Sequence, residues 1–392
     1  MPLSRRSFLH GAATGAATLA SLRVGFVAGR ARASSVVAER RFILIIMRGA
    51  VDALGVMPPI GDPDYATLRG KLAFGPEQVL PVNDLFGLTP AFQPVKPWYD
   101  DRQLLFASAV SSQYRDRSHF DGQAILESGM SDPSKVDSGW LGRIMKQHGG
   151  HLSAVTVDGG MPAVLLGAPR VTNIPPADIK LPSGDVIERM AQVYGHDPRF
   201  AAFADEIRDA AQATGSLGYG RPQIQVFVSA AKMLARPDGP RLAVISSEGW
   251  DTHSNQGTVD GRMFVAARAL ADGLASMRES LGEEVWANTV ILGVSEFGRT
   301  VRVNGSAGTD HGTGGFAFLG GGRINGGRIH GEWPGLTEKA LYQNRDLMPV
   351  TDVRSLIKAV LAEHLEIAAA EIDEVAFPGS GDVGAAKDLF RT

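Results

Sequence analysis

Arg41-Phe42-Ile43-Leu44-Ile45-Ile46-Met47 is the stretch from which the fold can be read. A short, continuous apolar run with β-branched residues predicts a strand buried on both faces, as in a parallel sheet. Four more runs read the same way: Leu104 to Val110, Leu242 to Ser246, Thr289 to Val294 and Gly314 to Leu319. Helical patterns separate them over Ala91 to Tyr99, Phe120 to Ser128, Gly139 to His148, Asp185 to Tyr194, Arg199 to Leu234, Val259 to Ser280 and Asp352 to His364. Strands alternating with amphipathic helices predict an α/β fold, a mostly parallel sheet covered on both faces. Ligands of such sheets bind beyond the carboxyl ends of the strands.

Residues 1–33 read as an export signal. Ser4-Arg5-Arg6-Ser7-Phe8-Leu9 fits the twin-arginine pattern, and Gly11 to Leu22 is an uncharged, Ala-rich stretch too short to span a bilayer. Ala31-Arg32-Ala33 fits the small-x-small cleavage rule, so the mature chain is expected to begin at Ser34. The expected route is the twin-arginine translocase, with a periplasmic or extracellular destination and no stable membrane anchor. Removing the five arginines of this segment takes the formal charge from −3 to −8. A mildly acidic chain is not expected to bind nucleic acid through a basic face. There is no cysteine, so the core alone must hold the exported protein. Without linker, charge block or repeat, residues 34–392 read as a single domain.

The candidate chemistry sits at the ends of the apolar runs. Asp52 follows the first run in Arg48-Gly49-Ala50-Val51-Asp52. Alone it would be a turn residue, but beside Gly49 it is a candidate metal ligand. In Gly249-Trp250-Asp251-Thr252-His253, acid and imidazole two apart in extended chain point to the same side. Both can reach one ion, or one can orient the other. Glu296 closes a strongly apolar strand in Ser295-Glu296-Phe297-Gly298-Arg299, where a carboxylate needs a metal or an arginine partner. Gly308-Thr309-Asp310-His311-Gly312 places Asp310 beside His311 in a glycine-rich loop. Asp52, Asp251, His253, Glu296, Asp310 and His311 are therefore the candidate metal ligands, with His119 and Arg299 supporting them.

Ser118-His119-Phe120-Asp121 opens a helix and has two readings. Ser118 and Asp121 resemble a capping box. Equally, a serine at a helix N-terminus with Arg115 and Arg117 nearby suits a nucleophile in an anion site. Gly293-Val294-Ser295-Glu296-Phe297 imitates a nucleophile elbow, but the second glycine comes one position late. His148, His151, His196, His330 and His364 lack a ligand set and read as surface or packing residues.

Taken together, the twin-arginine start, Arg48 to Asp52, Arg117 to Asp121, Gly249 to His253, Ser295 to Thr300, Gly308 to Gly312 and Gly331-Glu332-Trp333-Pro334-Gly335 resemble the exported bacterial family called domain of unknown function 1501. That family is grouped with the alkaline phosphatase and sulfatase superfamily. The resemblance implies a three-layer α/β/α sandwich, two divalent cations at the sheet's carboxyl edge and a nucleophile at a helix start. By position, Asp52 matches the first-strand metal aspartate and Ser118 the nucleophile. Asp251 and His253 match the middle metal cluster, and Asp310-His311 the last histidine. Phe297 departs from the pattern, standing where a histidine is implied. The expectation is an exported hydrolase of small anionic phosphate or sulfate esters, using zinc, manganese, magnesium or calcium. The alternative is a non-catalytic exported binding protein that keeps the fold.

Overall fold

A computed structural model describes residues 39–149, 151–175 and 222–391. Expectations for residues 1–33, Asp185 to Tyr194, His196 and most of Arg199 to Leu234 lie outside them. All five apolar runs are strands: β1 (Arg41–Met47), β4 (Leu104–Ser111), β7 (Leu242–Ser247), β8 (Thr289–Val294) and β9 (Gly315–Gly320). Four strands absent from the sequence reading join the same sheet: β5 (Ala154–Val157), β6 (Val171–Ile174), β10 (Arg328–His330) and β11 (Thr351–Asp352). Each has two to four residues, too few to show a period. β2 (Leu80–Pro81) and β3 (Gly87–Leu88) form a separate antiparallel ribbon.

The sheet runs β10-β4-β9-β8-β1-β7-β5-β6, with β11 also paired to β4. β1 lies parallel between β7 and β8, so its backbone is paired on both sides. β9 runs antiparallel to β4 and to β8. No helix separates β8 from β9, and only a parallel return requires a crossover. The loop between them therefore lies at the carboxyl edge of β8, and it carries Glu296, Arg299, Asp310 and His311.

Helices cover both faces. The described ones include α1 (Ala53–Val56), α2 (Tyr65–Arg69), α3 (Lys96–Asp100), α4 (His119–Ser128), α5 (Trp140–Gln147), α6 (Pro222–Ala235), α7 (Gly261–Ala287) and α8 (Val353–Ala359). Alternate residues of β1 enter two cores, as the two-residue strand period requires. Ile43, Ile45 and Met47 join a cluster with Phe227 and Leu234 of α6 and Leu270 and Leu274 of α7. Phe42, Leu44 and Ile46 join another with Trp140 and Ile144 of α5 and Leu356 and Ile357 of α8. This is the three-layer α/β/α arrangement with a mostly parallel sheet. α7 runs beyond the expected Ser280, although Gly282 breaks its helical geometry at φ 71°. Ala91 to Tyr99 forms not one helix but a 3₁₀ segment, Pro90–Val95, followed by α3. Pro94 and Pro97 lack the backbone donors that a continuous helix needs. No described helix is long and apolar enough to cross a membrane.

Candidate metal centre

Four segments meet at one sheet edge: the turns after β1, β4 and β7, and the loop that joins β8 to β9. Within them, ligand atoms of His119, Asp251 and His311 lie within 4.8 Å of one another. His253 adjoins two members of this group without being within that distance of all three. Its Nε2 is 2.9 Å from Nε2 of His311 and 3.0 Å from Oδ1 of Asp251. Nε2 of His311 and of His119 lie 3.3 Å and 3.7 Å from that same oxygen.

Each imidazole is oriented from behind. Nδ1 of His119 faces Oε1 of Glu296 at 2.8 Å. Nδ1 of His311 faces the carbonyl oxygen of Arg117 at 2.9 Å. Nδ1 of His253 faces Oδ1 of Asp310 at 3.2 Å. These acceptors place the proton on Nδ1, leaving the three Nε2 lone pairs on the side of Asp251. Nε2 of His119 is buried and makes no hydrogen bond. The mutually close donors of His119, Asp251 and His311 could hold a divalent cation: tetrahedral bonds of 2.0–2.1 Å would place donor atoms about 3.3 Å apart, near the 3.3 Å and 3.7 Å that separate the His311 and His119 nitrogens from Asp251 Oδ1. Imidazole nitrogens beside one carboxylate oxygen suit zinc better than magnesium or calcium.

The electrostatics agree with this donor set. Burial pushes the Glu296 carboxyl up, but hydrogen bonds from His119, Gln123 and the Gly49 N–H hold it below the usual range. Burial also pushes Asp251 up, and the Arg299 hydrogen bond and charge bring it below. The hydrogen bond to Glu296 raises His119. Burial lowers His311 and favours its neutral form. The hydrogen bond from Asn304 helps to lower Asp310.

Close backbone packing makes this possible. Gly49 has φ 116°, and a Cβ there would lie 2.5 Å from the backbone nitrogen of Asp251. Phe297 is buried and stacks on the His119 ring, with centroids 5.1 Å apart. A Cβ at Gly122 would lie 2.9 Å from the Phe297 ring. Phe297, at the position where a histidine was implied, thus packs against the rings of His119 and His311.

The structure redistributes several expected roles. Asp251, His253 and His311 converge as expected, and His119, expected to support them, joins them directly. Glu296 stands behind His119 and outside the group of His119, Asp251 and His311. It is fully buried, and its oxygens accept from the Gly49 N–H, His119, Gln123 and Ser295. Asp310 likewise orients His253 and accepts from Asn304 Nδ2 at 3.0 Å. Asp52 is outside that group and engaged elsewhere. Its Oδ2 pairs with Arg69 and Gln256, each at 2.5 Å, and its Oδ1 caps α1 at the Leu54 N–H. Arg299 donates to Asp251 Oδ1 and to the Gly49 carbonyl, both at 2.9 Å.

Arg117 contributes its carbonyl, with the backbone at φ 62°. Its guanidinium turns to Asp346 and Gln343 and does not form the expected anion clamp. Ser118 opens α4, but its hydroxyl caps no backbone N–H. Asp121, the other half of the expected capping box, instead accepts from the Tyr114 hydroxyl at 3.1 Å. That hydroxyl also accepts from the Ser118 N–H at 3.2 Å.

A family model described as "Protein of unknown function (DUF1501)" matches residues 188–376. No curated protein matches the sequence. Among solved structures, a protein in the alkaline phosphatase superfamily from Vibrio parahaemolyticus is 10% identical with a TM-score of 0.39. That match covers 74% of this chain but only 62% of the other. The PsFucS1 sulfatase from Pseudoalteromonas sp. is 12% identical with a TM-score of 0.39, over 90% of this chain and 73% of that one. BT1596, a 2-O GAG sulfatase, is 12% identical with a TM-score of 0.39, over 84% and 71%.

Proposed function

We propose that this protein is an exported, metal-dependent hydrolase of phosphate or sulfate esters that holds one divalent ion. The ligands are His119, Asp251, His253 and His311, and the ion is zinc. The observation that carries this reading is the convergence of three oriented Nε2 atoms on Asp251 Oδ1. Asp52 and Glu296 are committed to other partners, which favours one ion over the two that the motif resemblance implies. Asp251, His253 and His311 keep 45%, 44% and 24% of their side-chain surface exposed, so a substrate has access from solvent.

The ion would supply Lewis-acid polarisation of the ester and offset charge on the transferred group. The chain's own residues do the rest. Glu296, Asp310 and the Arg117 carbonyl orient the imidazoles. Arg299 fixes Asp251 and keeps it ionised. Ser118 precedes a ligand at a helix start, and its hydroxyl is not used as a cap. It is the proposed nucleophile.

The second reading is an exported binding protein that holds the ion without turnover. The diversion of the Arg117 guanidinium to Asp346 favours it, because the expected anion clamp is then missing. A panel of phosphomonoesters, phosphodiesters and sulfate esters, assayed with added Zn²⁺, Mn²⁺, Mg²⁺ or Ca²⁺, separates the two. Hydrolysis that a chelator abolishes and zinc restores supports the enzyme. Bound metal with no turnover on any ester supports the binding protein.

A further inference from the structure

Asp52 lies at the far end of a buried chain of hydrogen bonds that leads to Asp251. Arg299 Nη1 donates to Asp251 Oδ1 at 2.9 Å, and Arg299 Nε donates to Thr309 Oγ1 at 2.8 Å. Thr309 Oγ1 donates to Gln256 Oε1 at 2.6 Å, and Gln256 Nε2 donates to Asp52 Oδ2 at 2.5 Å. Arg299, Thr309, Gln256 and Asp52 are each at most 2% exposed. The carboxylate can only accept and the guanidinium can only donate, so the direction of every bond between them is set. Such chains polarise one another, and an unpaired member is costly in a low dielectric.

The surroundings keep this arrangement single. The Thr252 hydroxyl donates to the same Gln256 oxygen at 2.9 Å, which fixes the amide orientation. Arg69 pairs with Asp52 and donates to the carbonyls of Thr300 and Val301, just beyond Arg299 in sequence. Arg299 Nη2 also donates to the Thr309 carbonyl at 2.5 Å, so Thr309 holds two of the three guanidinium nitrogens.

We propose that Thr309 and Gln256 are positioning residues for the metal centre, with Asp52 as their buried anchor. They lock the guanidinium plane of Arg299 so that Nη1 meets Asp251, and Asp251 in turn presents its carboxylate to the ion. This inference rests on the one-ion reading above. It gives Asp52 a role in the site without making it a ligand.

The test is Zn²⁺ titration of the mature chain by calorimetry or by competition with a chromophoric chelator. Thermal midpoints of the metal-free proteins are measured alongside. Thr309→Val keeps the shape and removes the hydroxyl, whereas Thr309→Ser keeps the hydroxyl. Thr309→Val is expected to weaken zinc binding about 10–100-fold, the usual effect of losing an outer partner of a ligand, and Thr309→Ser to stay within about threefold. If Thr309→Val does not fold, Gln256→Met breaks the same chain at its middle and is expected to weaken zinc similarly. A variant that melts earlier when metal-free yet binds zinc as tightly as wild type overturns the positioning role. Wild-type protein that binds no zinc overturns the one-ion reading, and this inference with it.

Discussion

Nε2 of His253 lies 2.9 Å from Nε2 of His311, while both Nδ1 atoms face oxygen acceptors. Two lone pairs that close repel unless a cation lies between them or one ring takes a second proton. Under the one-ion proposal, elemental analysis of purified protein is expected to find about one zinc per chain, as in a mononuclear site. His119→Ala and His311→Ala should each weaken zinc binding by more than the roughly 10–100-fold cost of losing an outer partner. Full zinc retention by either variant contradicts the assignment.

Glu296→Gln removes the charged partner of His119. In metal-free protein it should cost about 1–3 kcal/mol at pH 7, the penalty for weakening a buried polar network. The Glu296 carboxyl is held below its usual value, so its contribution is present above the unfolded value of about 4.3. It is lost as pH falls through the lower, folded value. Urea midpoints of wild type and variant should differ at pH 7 and converge toward pH 3. A gap that widens in acid would refute this sign.

Ser118→Ala discriminates between nucleophile and cap. A working cap would cost about 1 kcal/mol. Because the hydroxyl caps nothing here, the loss in chemical denaturation should stay below about 0.5 kcal/mol. Turnover on a verified ester should fall by several orders of magnitude with zinc still bound. Retention of most turnover would remove Ser118 from the chemistry.

Leu44 on β1 is 2% exposed and packs in the core shared with α5 and α8. Leu44→Ala should cost about 2–5 kcal/mol, through lost burial and the cavity it leaves. Phe120 is 90% exposed, and Phe120→Ala should change stability by less than about 0.5 kcal/mol. Denaturation midpoints of the two variants check the order; a Phe120 effect as large as that of Leu44 would mean that its ring is covered in solution.

Export is tested at Arg5 and Arg6. Replacing both with lysine should trap precursor in the cytoplasm if the twin-arginine translocase carries the chain. Fractionation followed by immunoblotting reads the result, and an unchanged exported yield would exclude this route.

The apolar runs by themselves determined five strands, the two-faced burial of the sheet and the edge where polar segments gather. Those are local properties: seven consecutive apolar residues in β1 predict a two-faced strand without knowledge of its neighbours. Short strands such as β5 escaped, because four residues carry too little pattern. The motifs also supplied the residue types of the site. Only the tertiary structure decided which of them face the proposed ion. A buried carboxylate takes its role from its partner, and those partners are remote in sequence. Glu296 meets His119 across 177 residues and becomes its support. Asp52 meets Gln256 across 204 residues and becomes an anchor. The direction of the His119 Nε2 likewise depends on which oxygen holds its Nδ1, and that oxygen belongs to the loop after β8.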